Sequence, residues 1–567
     1  MKKSFPQAFF CIFLALILIF EGLGLPNGHE LSFNLILLMP FFLFFLDLIY
    51  KRRIIIPKKI SFLFFLFLVL TLFSTILSVD VQRSFEYFLF YLSLYLIFVY
   101  VYNHKSELYK PLIFFIFAFS VIFFGYSIII KFLFNQPWAF FLIPKSGYQF
   151  VYPFFQAHNH LGDFLVISLV LLLYSYINTK QKLYLFFFLF FIPPFLLSYS
   201  RSAYVSLSLT SVLLMFFFIK SKKIKILSTV SIFVAVIFLI SSFFLFVGVE
   251  QARKSPILRP FHKILIKNFE LEKKELLANR DQYLLQALSS FREKPFFGVG
   301  PSNFTYASRK YSASTFNRSS SSHNLFLDVL IENGIFSFVI FLLIIFSMIL
   351  SSLKNTNSLF FVFLAMLINF QTDYTHTIYS FFLLFFIIAG LIWREKQKGN
   401  EYQQLLMAPL ILSTLIFIMT NLIIWSNLAF KSQKPRLGFF LYPFNKQVCF
   451  SLTEEKMLNF CGRFYSGDFK VLENIGRTYE QYRKENEALV YYEKAYQVDQ
   501  FTGFVLVKKI YTLKNKLEGA SEARKFISET FCKYTNSKDI GFIPMQTKTE
   551  ITTLFLEMKD LDCPKDL

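Results

Sequence analysis

The stretch SSSSHNLFLDVLIENGIFSFVIFLLIIFSMILSSL, residues 319–353, joins a hydrophilic segment to a long apolar run. About 18 or more apolar residues are needed to cross the hydrocarbon core of a bilayer, so residues 325–353 predict a membrane-spanning helix. Similar runs recur throughout the 567-residue chain, which is 55% hydrophobic and contains 82 phenylalanines. The mean hydropathy is +0.52, and a soluble protein is far less apolar. The sequence therefore predicts an all-α polytopic membrane protein.

Thirteen apolar segments have the length of a span. Basic residues are concentrated in every second connection between them, for example from Lys51 to Arg53 and from Lys220 to Lys225. The positive-inside rule places these connections in the cytoplasm, with the N-terminus inside and the C-terminus outside. The segment 358–372 is the shortest. If it did not cross the membrane, twelve spans would remain and the C-terminus would lie on the cytoplasmic side. The predicted spans are 8–25, 33–49, 60–79, 85–102, 111–133, 161–177, 183–199, 202–219, 226–248, 325–353, 358–372, 376–393 and 406–428.

Two hydrophilic regions fall on the outer side of this arrangement. One is the large extracytoplasmic loop 249–324 within a membrane domain of residues 1–428, and the other is the tail 429–567. The loop contains thirteen Lys or Arg but six Asp or Glu, whereas outer segments are usually poor in basic residues. Either the loop is long enough to be translocated to the outer side regardless of its charge, or it presents a site for an anionic ligand.

Residues 469–502 in the tail fit the helix–turn–helix pattern of a tetratricopeptide repeat. Its small residues let two helices approach and its tyrosines fill the space between them, although Gln500 replaces the expected proline. One repeat cannot bury its own apolar face, so we expect a second helix pair and a surface for a protein partner. An unrelated amphipathic hairpin is the alternative. The matching residues are Leu472, Ile475, Gly476, Tyr479, Ala488, Tyr492 and Ala495.

Four of the five cysteines lie in the tail, namely Cys449, Cys461, Cys532 and Cys563. Outside the cytoplasm they would form two disulfides, and three pairings are open. Cys449 and Cys461 are the closest pair in sequence. The spacing does not suggest a zinc site.

The opening stretch also contains a candidate functional residue, His323, at the beginning of a predicted span. The four serines before it are natural N-caps, and the positive end of a helix dipole favours a neutral imidazole, which accepts a proton. Gly334 follows eleven residues later, so we expect it on the same helical face, where it admits another backbone. Asn324 shares a second face with Asp328. A histidine that only caps the helix is the alternative.

Further polar residues fall on the same outer side, and two of them are arginines. Arginine suits the bidentate capture of phosphate oxygens, so we predict a phosphate-bearing substrate at the outer surface. A helix-end or lipid-headgroup contact is the alternative for each arginine alone. A metal site built from histidines is disfavoured, since no carboxylate partner is evident, and no nucleotide-binding loop occurs. These residues are Arg201, Arg280, His158, Asn159 and His160.

Four motifs now suggest a family. HNLFLDVLIENGIFS, from His323, resembles the signature of the O-antigen ligase and polymerase superfamily, and KPFFGVGPSNF resembles the segment that precedes it there. SYSRSAY resembles the Ser-Arg-Gly-type motif of these proteins, with Ser202 in place of the usual glycine, and AHNHLGDFL resembles their Asn-rich turn. The motifs occur in the family's order within residues 157–337, while the tail lies outside the resemblance.

The resemblance implies a GT-C-like glycosyltransferase of the bacterial cytoplasmic membrane that acts on the outer side without a metal or other cofactor. The donor is expected to be a glycan on a polyprenyl pyrophosphate, held by Arg201 and Arg280. His323 is expected to act on the acceptor hydroxyl, either as a base or as a positioning group, with inversion at the anomeric carbon. Asn324, Gly334 and the segment 158–160 are expected to contribute to substrate binding.

Several acceptors fit this chemistry equally well. The leading hypothesis is a ligase that transfers the glycan to a lipid core, and the alternatives are a polymerase that joins two lipid-linked units and a transferase that modifies proteins. A transporter is the alternative from another class, because TDYTH, residues 372–376, would form a broken helix of the kind that binds transported substrates. We expect contacts with membrane lipid and none with nucleic acid.

Overall fold

The computed structural model describes residues 5–22, 27–50, 54–133, 158–198, 200–220, 280–312, 318–353, 357–395, 407–451 and 454–535. Every regular element in these residues is a helix, which confirms the all-α fold class. The predicted span at 226–248 and the loop residues 249–279 lie outside the described residues, as does the tail beyond residue 535.

Twelve of the thirteen predicted spans correspond to helices. Among the residues described, seven helices are long and apolar enough to cross a membrane, and five shorter ones are also apolar. The multi-pass architecture is therefore confirmed, while its orientation stays a prediction. In chain order the helices before the tail are α1 (Phe5–Gly22), α2 (Gly28–Ile49), α3 (Lys58–Ile76), α4 (Val81–Asn103), α5 (Lys105–Leu133), α6 (His158–Thr179), α7 (Lys182–Leu197), α8 (Arg201–Lys220), α9 (Arg280–Glu293), α10 (Phe304–Tyr311), α11 (Leu325–Leu353), α12 (Ser358–Phe370), α13 (Tyr379–Ile392) and α14 (Met407–Lys431).

Helix α13 forms the centre of the bundle, because all of its residues after Tyr379 are buried. It packs against α4 and α12. Gly390 permits a close approach to α4, since a Cβ atom there would lie 3.0 Å from the Phe98 carbonyl oxygen. Aromatic rings fill the contact with α12, where Phe363 stacks on Phe385 with ring centres 4.5 Å apart. This packing fixes α4, α12 and α13, whose ends contribute to the candidate site.

Helix α11 is interrupted at Gly334, where the backbone is not helical (φ 77°, ψ 174°). His323 also lies before the helix begins. The prediction that His323 and Gly334 share one helical face is therefore wrong. A Cβ atom on Gly334 would lie 2.0 Å from the Phe296 carbonyl oxygen, and Ile335 N donates to the Pro295 carbonyl oxygen at 2.9 Å. The loop segment between α9 and α10 thus packs directly into the break in α11.

The tail continues as a series of short helices. A disulfide joins Cys449 to Cys461, the closest of the pairs that the sequence leaves open. The Cys532 side chain and Cys563 lie outside the described residues. The helices of seven or more residues are α15 (Pro435–Leu441), α16 (Glu455–Phe464), α17 (Phe469–Gln481), α18 (Glu485–Val498), α19 (Val507–Leu517) and α20 (Ala520–Thr535).

Helices α17 and α18 form a closely packed hairpin. A Cβ atom on Gly476 would lie 2.7 Å from the ring of Tyr492, so a larger residue at position 476 would push the two helices apart. Helices α19 and α20 form a second packed pair, and α19 contacts α18. The buried side chains of these helices belong to one apolar core. The tetratricopeptide assignment itself stays a prediction.

The tail packs on the end of the bundle where α3 ends and α4 begins. Gly467 N donates to the Val79 carbonyl oxygen at 3.0 Å. Lys446 Nζ bridges two carboxylates, Asp80 Oδ2 at 3.0 Å and Asp468 Oδ2 at 2.8 Å. We call this three-residue contact the Lys446 bridge.

A second contact joins the tail to the residues just before His323. Arg318 donates through both terminal nitrogens to the buried carboxylate of Asp499, at 2.5 and 3.1 Å. Helix α10 also contacts α18. The tail, the loop helices and His323 therefore lie at the same end of the bundle.

Candidate active site

His323 lies immediately before α11, in the left-handed backbone region at φ 61°. Residues other than glycine rarely adopt this conformation, and a buried network holds it here. Ser321 Oγ accepts from His323 N at 3.0 Å and donates to Asp328 Oδ2 at 2.6 Å. The imidazole is 17% exposed and stacks on Tyr283 of α9, with ring centres 5.2 Å apart and planes 8° apart. One orientation of the ring is thus stabilised from several sides.

The prediction that the serines before His323 cap α11 is wrong. Asn324 is the cap, because its Oδ1 accepts from Leu327 N at 3.0 Å. Its Nδ2 donates to the Gln371 carbonyl oxygen at 3.1 Å, which ties the start of α11 to the connection between α12 and α13. Ser321 interacts with Asp328 instead. Both polar atoms of the Asn324 amide are therefore used in positioning the backbone.

His323 has a carboxylate partner that the sequence did not reveal, Asp373. Asp373 Oδ1 lies 3.4 Å from His323 Nδ1, an ion-pair distance rather than a tight hydrogen bond. Burial alone would raise the pKa of Asp373. The interactions with His323, His160 and Arg280 outweigh burial and hold this pKa well below its usual range. An ionised Asp373 favours a proton on His323 Nδ1, which leaves Nε2 as the proton acceptor.

The other predicted histidine with a described side chain, His160, is buried in the same region. Its ring meets the ring of Tyr374 edge-on at 4.8 Å, and Tyr374 meets His323 edge-on at 4.7 Å. Tyr374 therefore separates the two imidazoles. Across the described ranges, no group of three or more His, Cys, Asp or Glu residues is arranged to hold a metal ion.

The two predicted arginines begin two helices, Arg201 at α8 and Arg280 at α9. The charge of Arg280 lowers the pKa of Asp373, so this arginine lies within electrostatic range of the His323–Asp373 pair. The side chains of Arg201, His158 and Asn159 lie outside the described part of the chain. Their predicted contacts with substrate stay predictions.

Comparison with known families now bears on this arrangement. Residues 185–342 match the model of a family described as O-antigen ligase. Over this segment the chain is similar to the O-antigen ligase family. No curated protein sequence matches it. The matched segment includes Arg201, Arg280, His323 and Gly334, whereas Asp373 lies beyond its C-terminal end.

Within the matched segment, Ser202 stands where the motif usually has glycine, and its hydroxyl contacts two carboxylates. Ser202 Oγ lies 3.0 Å from Asp373 Oδ2 and 3.1 Å from Asp163 Oδ1. Asn369 Nδ2 donates to the same oxygen of Asp163 at 2.8 Å. Ser202 therefore lies between two buried carboxylates. Because a hydroxyl donates only one proton at a time, it donates to one of them at any moment.

The connection between α12 and α13 supplies the site residues that sequence reasoning missed. TDYTH does interrupt the helices, but it lies at the end of the bundle beside His323 and forms a short 3-10 turn at Tyr374–Thr377. His376 Nε2 lies 2.7 Å from Asp328 Oδ2, and both side chains are buried. An acidic residue and a histidine placed between two apolar spans were the available signal. The segment that favoured a transporter thus contributes two side chains to the candidate site.

Proposed function

We propose that this protein transfers a glycan from a polyprenyl pyrophosphate donor to a hydroxyl of a lipid-core acceptor, on the outer side of the bacterial cytoplasmic membrane. The observation that carries the proposal is the position of His323, stacked on Tyr283 and facing the ionised Asp373. Such a pair orients an imidazole for proton transfer. The family match supports the class of reaction.

The reaction proceeds by attack of the acceptor oxygen on the anomeric carbon of the donor sugar. The new glycosidic bond forms as the bond between the anomeric carbon and the pyrophosphate oxygen breaks, and the bonding electrons leave with the pyrophosphate. The proton of the acceptor hydroxyl moves to His323 Nε2. Attack opposite the leaving group inverts the anomeric centre.

The leaving pyrophosphate gains negative charge, and Arg280 and Arg201 are the groups proposed to neutralise it. Guanidinium groups bind phosphate oxygens in a bidentate manner. Fixed positive groups placed where charge develops stabilise a transition state without reorganising. Arg280 supports this role through its position at the start of α9, three residues before the Tyr283 ring that stacks on His323.

Replacement of His323 by alanine tests the proposal in cells that depend on this protein. We expect the long chains on the lipid core to disappear while polyprenyl-linked polymer remains, because donor synthesis does not involve this residue. A normal glycan profile at a normal protein level would contradict the proposal. Arg292→Ala, at an exposed position of α9, controls for nonspecific damage.

The same experiment separates the proposed acceptor from the others. Accumulation of single lipid-linked units would indicate a polymerase, and loss of glycan from proteins would indicate a protein transferase. In either case the tail is the surface expected to bind the acceptor or a partner protein.

A further inference from the structure

A cavity lies next to the candidate active site. It has a volume of about 200 Å³ and is bounded by α2, α4, α11, α13 and the segment before α10. Asp328 and His376 contribute to its wall, whereas His323, Asp373 and Arg280 do not. We call it the Arg83 cavity, after the arginine that lines it. The mechanism above leaves it without a role.

The Arg83 cavity runs inward from the same end of the bundle as His323. Arg83, Tyr87 and Tyr91 line it and follow each other at four-residue intervals on one face of α4. Eight helical residues span roughly 12 Å. At the outer rim are Ser320, which is exposed, and His29, which is 40% exposed. A ligand can therefore enter from the side where the chemistry is proposed.

The lining combines a donor, two acceptors and aromatic rings. The guanidinium of Arg83 donates from Nε to Ser302 Oγ at 2.9 Å; among the described residues, its terminal nitrogens make no further hydrogen bond. Asp328 and Glu332 present carboxylates to the same space. The rings of Tyr87 and Tyr379 lie next to each other in its wall, with centres 5.9 Å apart.

Both carboxylates are oriented before any ligand binds. Glu332 Oε1 accepts from Phe304 N at 3.1 Å. Asp328 accepts from Ser321 Oγ at 2.6 Å and from Ser322 N at 2.8 Å, and it pairs with His376. A ligand therefore meets fixed acceptors and loses little affinity to their ordering.

This lining favours a neutral sugar over a phosphate. The guanidinium of Arg83 shares the cavity with the Asp328 carboxylate, whose negative charge offsets the attraction of a doubly charged anion. Sugar hydroxyls, in contrast, both donate and accept, and the apolar face of a sugar ring packs against tyrosine rings. A cavity of about 200 Å³ is smaller than the ~300–1,000 Å³ of drug-sized sites, so it suits a single sugar unit.

We propose that the Arg83 cavity binds the terminal sugar of the acceptor glycan. This assignment rests on the proposed function and names the acceptor subsite of the same reaction. The rim includes Ser320 and Thr377, which belong to the two segments that contain His323 and its partner Asp373, so the cavity opens at the end of the bundle where the imidazole lies. Asp328 joins the two sites, since it lines the cavity and holds the Ser321 hydroxyl that binds His323 N.

The kinetic test uses full-length protein in lipid vesicles, with lipid-linked donor and lipid-core acceptor isolated from the native cells. In Arg83→Gln and Glu332→Gln we expect the KM for the acceptor to rise about 10- to 100-fold, the usual effect of losing a hydrogen bond to a charged group. The KM for the donor should stay within about twofold, because Arg280 holds the pyrophosphate. A rise in the donor KM, or no change in either KM, would overturn the assignment.

A cavity-filling variant tests the assignment independently. Val329→Phe fills the cavity from its wall, while Val339→Phe makes the same change on the exposed face of α11. We expect Val329→Phe to lose acceptor-dependent transfer and to keep binding of inorganic pyrophosphate, measured as a shift in Tm. Val339→Phe should retain both. Normal acceptor use by a correctly folded Val329→Phe protein would contradict the assignment.

A binding measurement distinguishes this inference from the proposed function. Methyl glycosides of glucose, galactose and mannose are added to wild-type protein and to Arg83→Gln, and thermal unfolding is followed. At least one glycoside should raise the Tm of wild type and not that of the variant. Absence of any shift in wild type would overturn the sugar assignment. Absence of glycan transfer by wild type, with the Tm shift present, would overturn the proposed function alone.

Discussion

Two neighbouring regions at one end of the bundle differ in charge. Around His323, the carboxylate of Asp373 interacts with Arg280, His160 and His323 itself, which keep its pKa below the usual range. In the Arg83 cavity one guanidinium faces two carboxylates. The first region suits a pyrophosphate and the second a neutral sugar. A transferase with two glycan substrates needs such a difference to direct each one to its own place.

The boundary between the two regions is the first part of α11. His323 precedes this helix on one side, and Asp328 and Glu332 project into the cavity on the other. The break at Gly334 lets the segment between α9 and α10 pack against α11. Glu332 binds this segment through Phe304 N. The same helix therefore orients groups in both regions.

The largest predicted difference between the regions concerns Arg280. Arg280→Gln should lower kcat/KM by about 100- to 1,000-fold, since it removes a positive group from the developing charge of the leaving group. Inhibition by inorganic pyrophosphate should weaken in parallel. The matched control is Arg292→Gln on the same helix, which should stay within about twofold of wild type. Equal effects of both variants would show that the region around His323 is not specific for the pyrophosphate.

The next prediction concerns Asp373. Asp373→Asn should lower kcat by about 10- to 100-fold with little change in either KM, because the carboxylate orients His323 rather than substrate. The pKa of Asp373 is lower in the folded protein than in the unfolded chain. Ionised Asp373 therefore contributes fully to the stability of the folded protein above the unfolded-state pKa. This contribution is lost as the pH falls through the pKa of the folded state. The rate profile of wild type should therefore show no loss from this group near neutral pH. A selective rise in the acceptor KM would contradict the orienting role.

A smaller effect is expected at Ser202, where Ser202→Gly restores the residue usual in the family motif. The change removes the hydroxyl between Asp163 and Asp373 and should lower kcat by about 3- to 10-fold, the range of a single hydrogen bond. The acceptor KM should not change, since Ser202 does not line the Arg83 cavity. Activity equal to wild type would show that the hydroxyl has no role in the site.

The smallest effect is expected at the Lys446 bridge, which joins the tail to the bundle. Burial alone would lower the pKa of Lys446, but its attraction to Asp80 and Asp468 raises it. Burial alone would raise the pKa of Asp468, but its attraction to Lys446 lowers it. The bridge is therefore complete between the unfolded-state values of roughly pH 4 and 10. It weakens as pH falls through the folded pKa of Asp468 or rises through that of Lys446.

Lys446→Ala tests this bridge by hydrogen exchange of α17. We expect exchange to increase about fivefold at neutral pH, consistent with about 1 kcal/mol for a partly exposed pair. Glycan transfer should fall by less than about threefold. Arg477→Ala breaks an exposed pair within α17 and serves as the control. A loss of transfer as large as that of Arg280→Gln would mean that the tail contributes directly to the site.

The sequence predicted the helical fold well because apolar runs of membrane length have a direct physical meaning. Ser358–Phe370 and Tyr379–Ile392 lie within two to three residues of the predicted segments 358–372 and 376–393. The position of α11 was predicted without error. Its interior was not, since periodicity alone cannot show that a glycine interrupts the helix.

The site was predicted only in part. The polar residues at the outer ends of spans indicated His323 and Arg280, and the resemblance then gave each of them an expected role. Asp373 and His376 come from a connection between spans, and their partners lie 50 and 48 positions away in sequence. Serines next to a helix start resemble caps, but here a nearer asparagine and a buried aspartate compete for these roles. Such pairings depend on tertiary packing, which local patterns do not contain.

The most direct test of the central claim is transfer by purified full-length protein in vesicles that contain the lipid-linked donor and the lipid-core acceptor. Wild type should form the glycan-linked lipid core and release polyprenyl pyrophosphate in equal amounts. His323→Ala should lose about 100- to 10,000-fold of this rate, the range of general base catalysis, while inhibition by inorganic pyrophosphate at the donor site is retained in its residual activity. Transfer by His323→Ala at the wild-type rate would contradict the account.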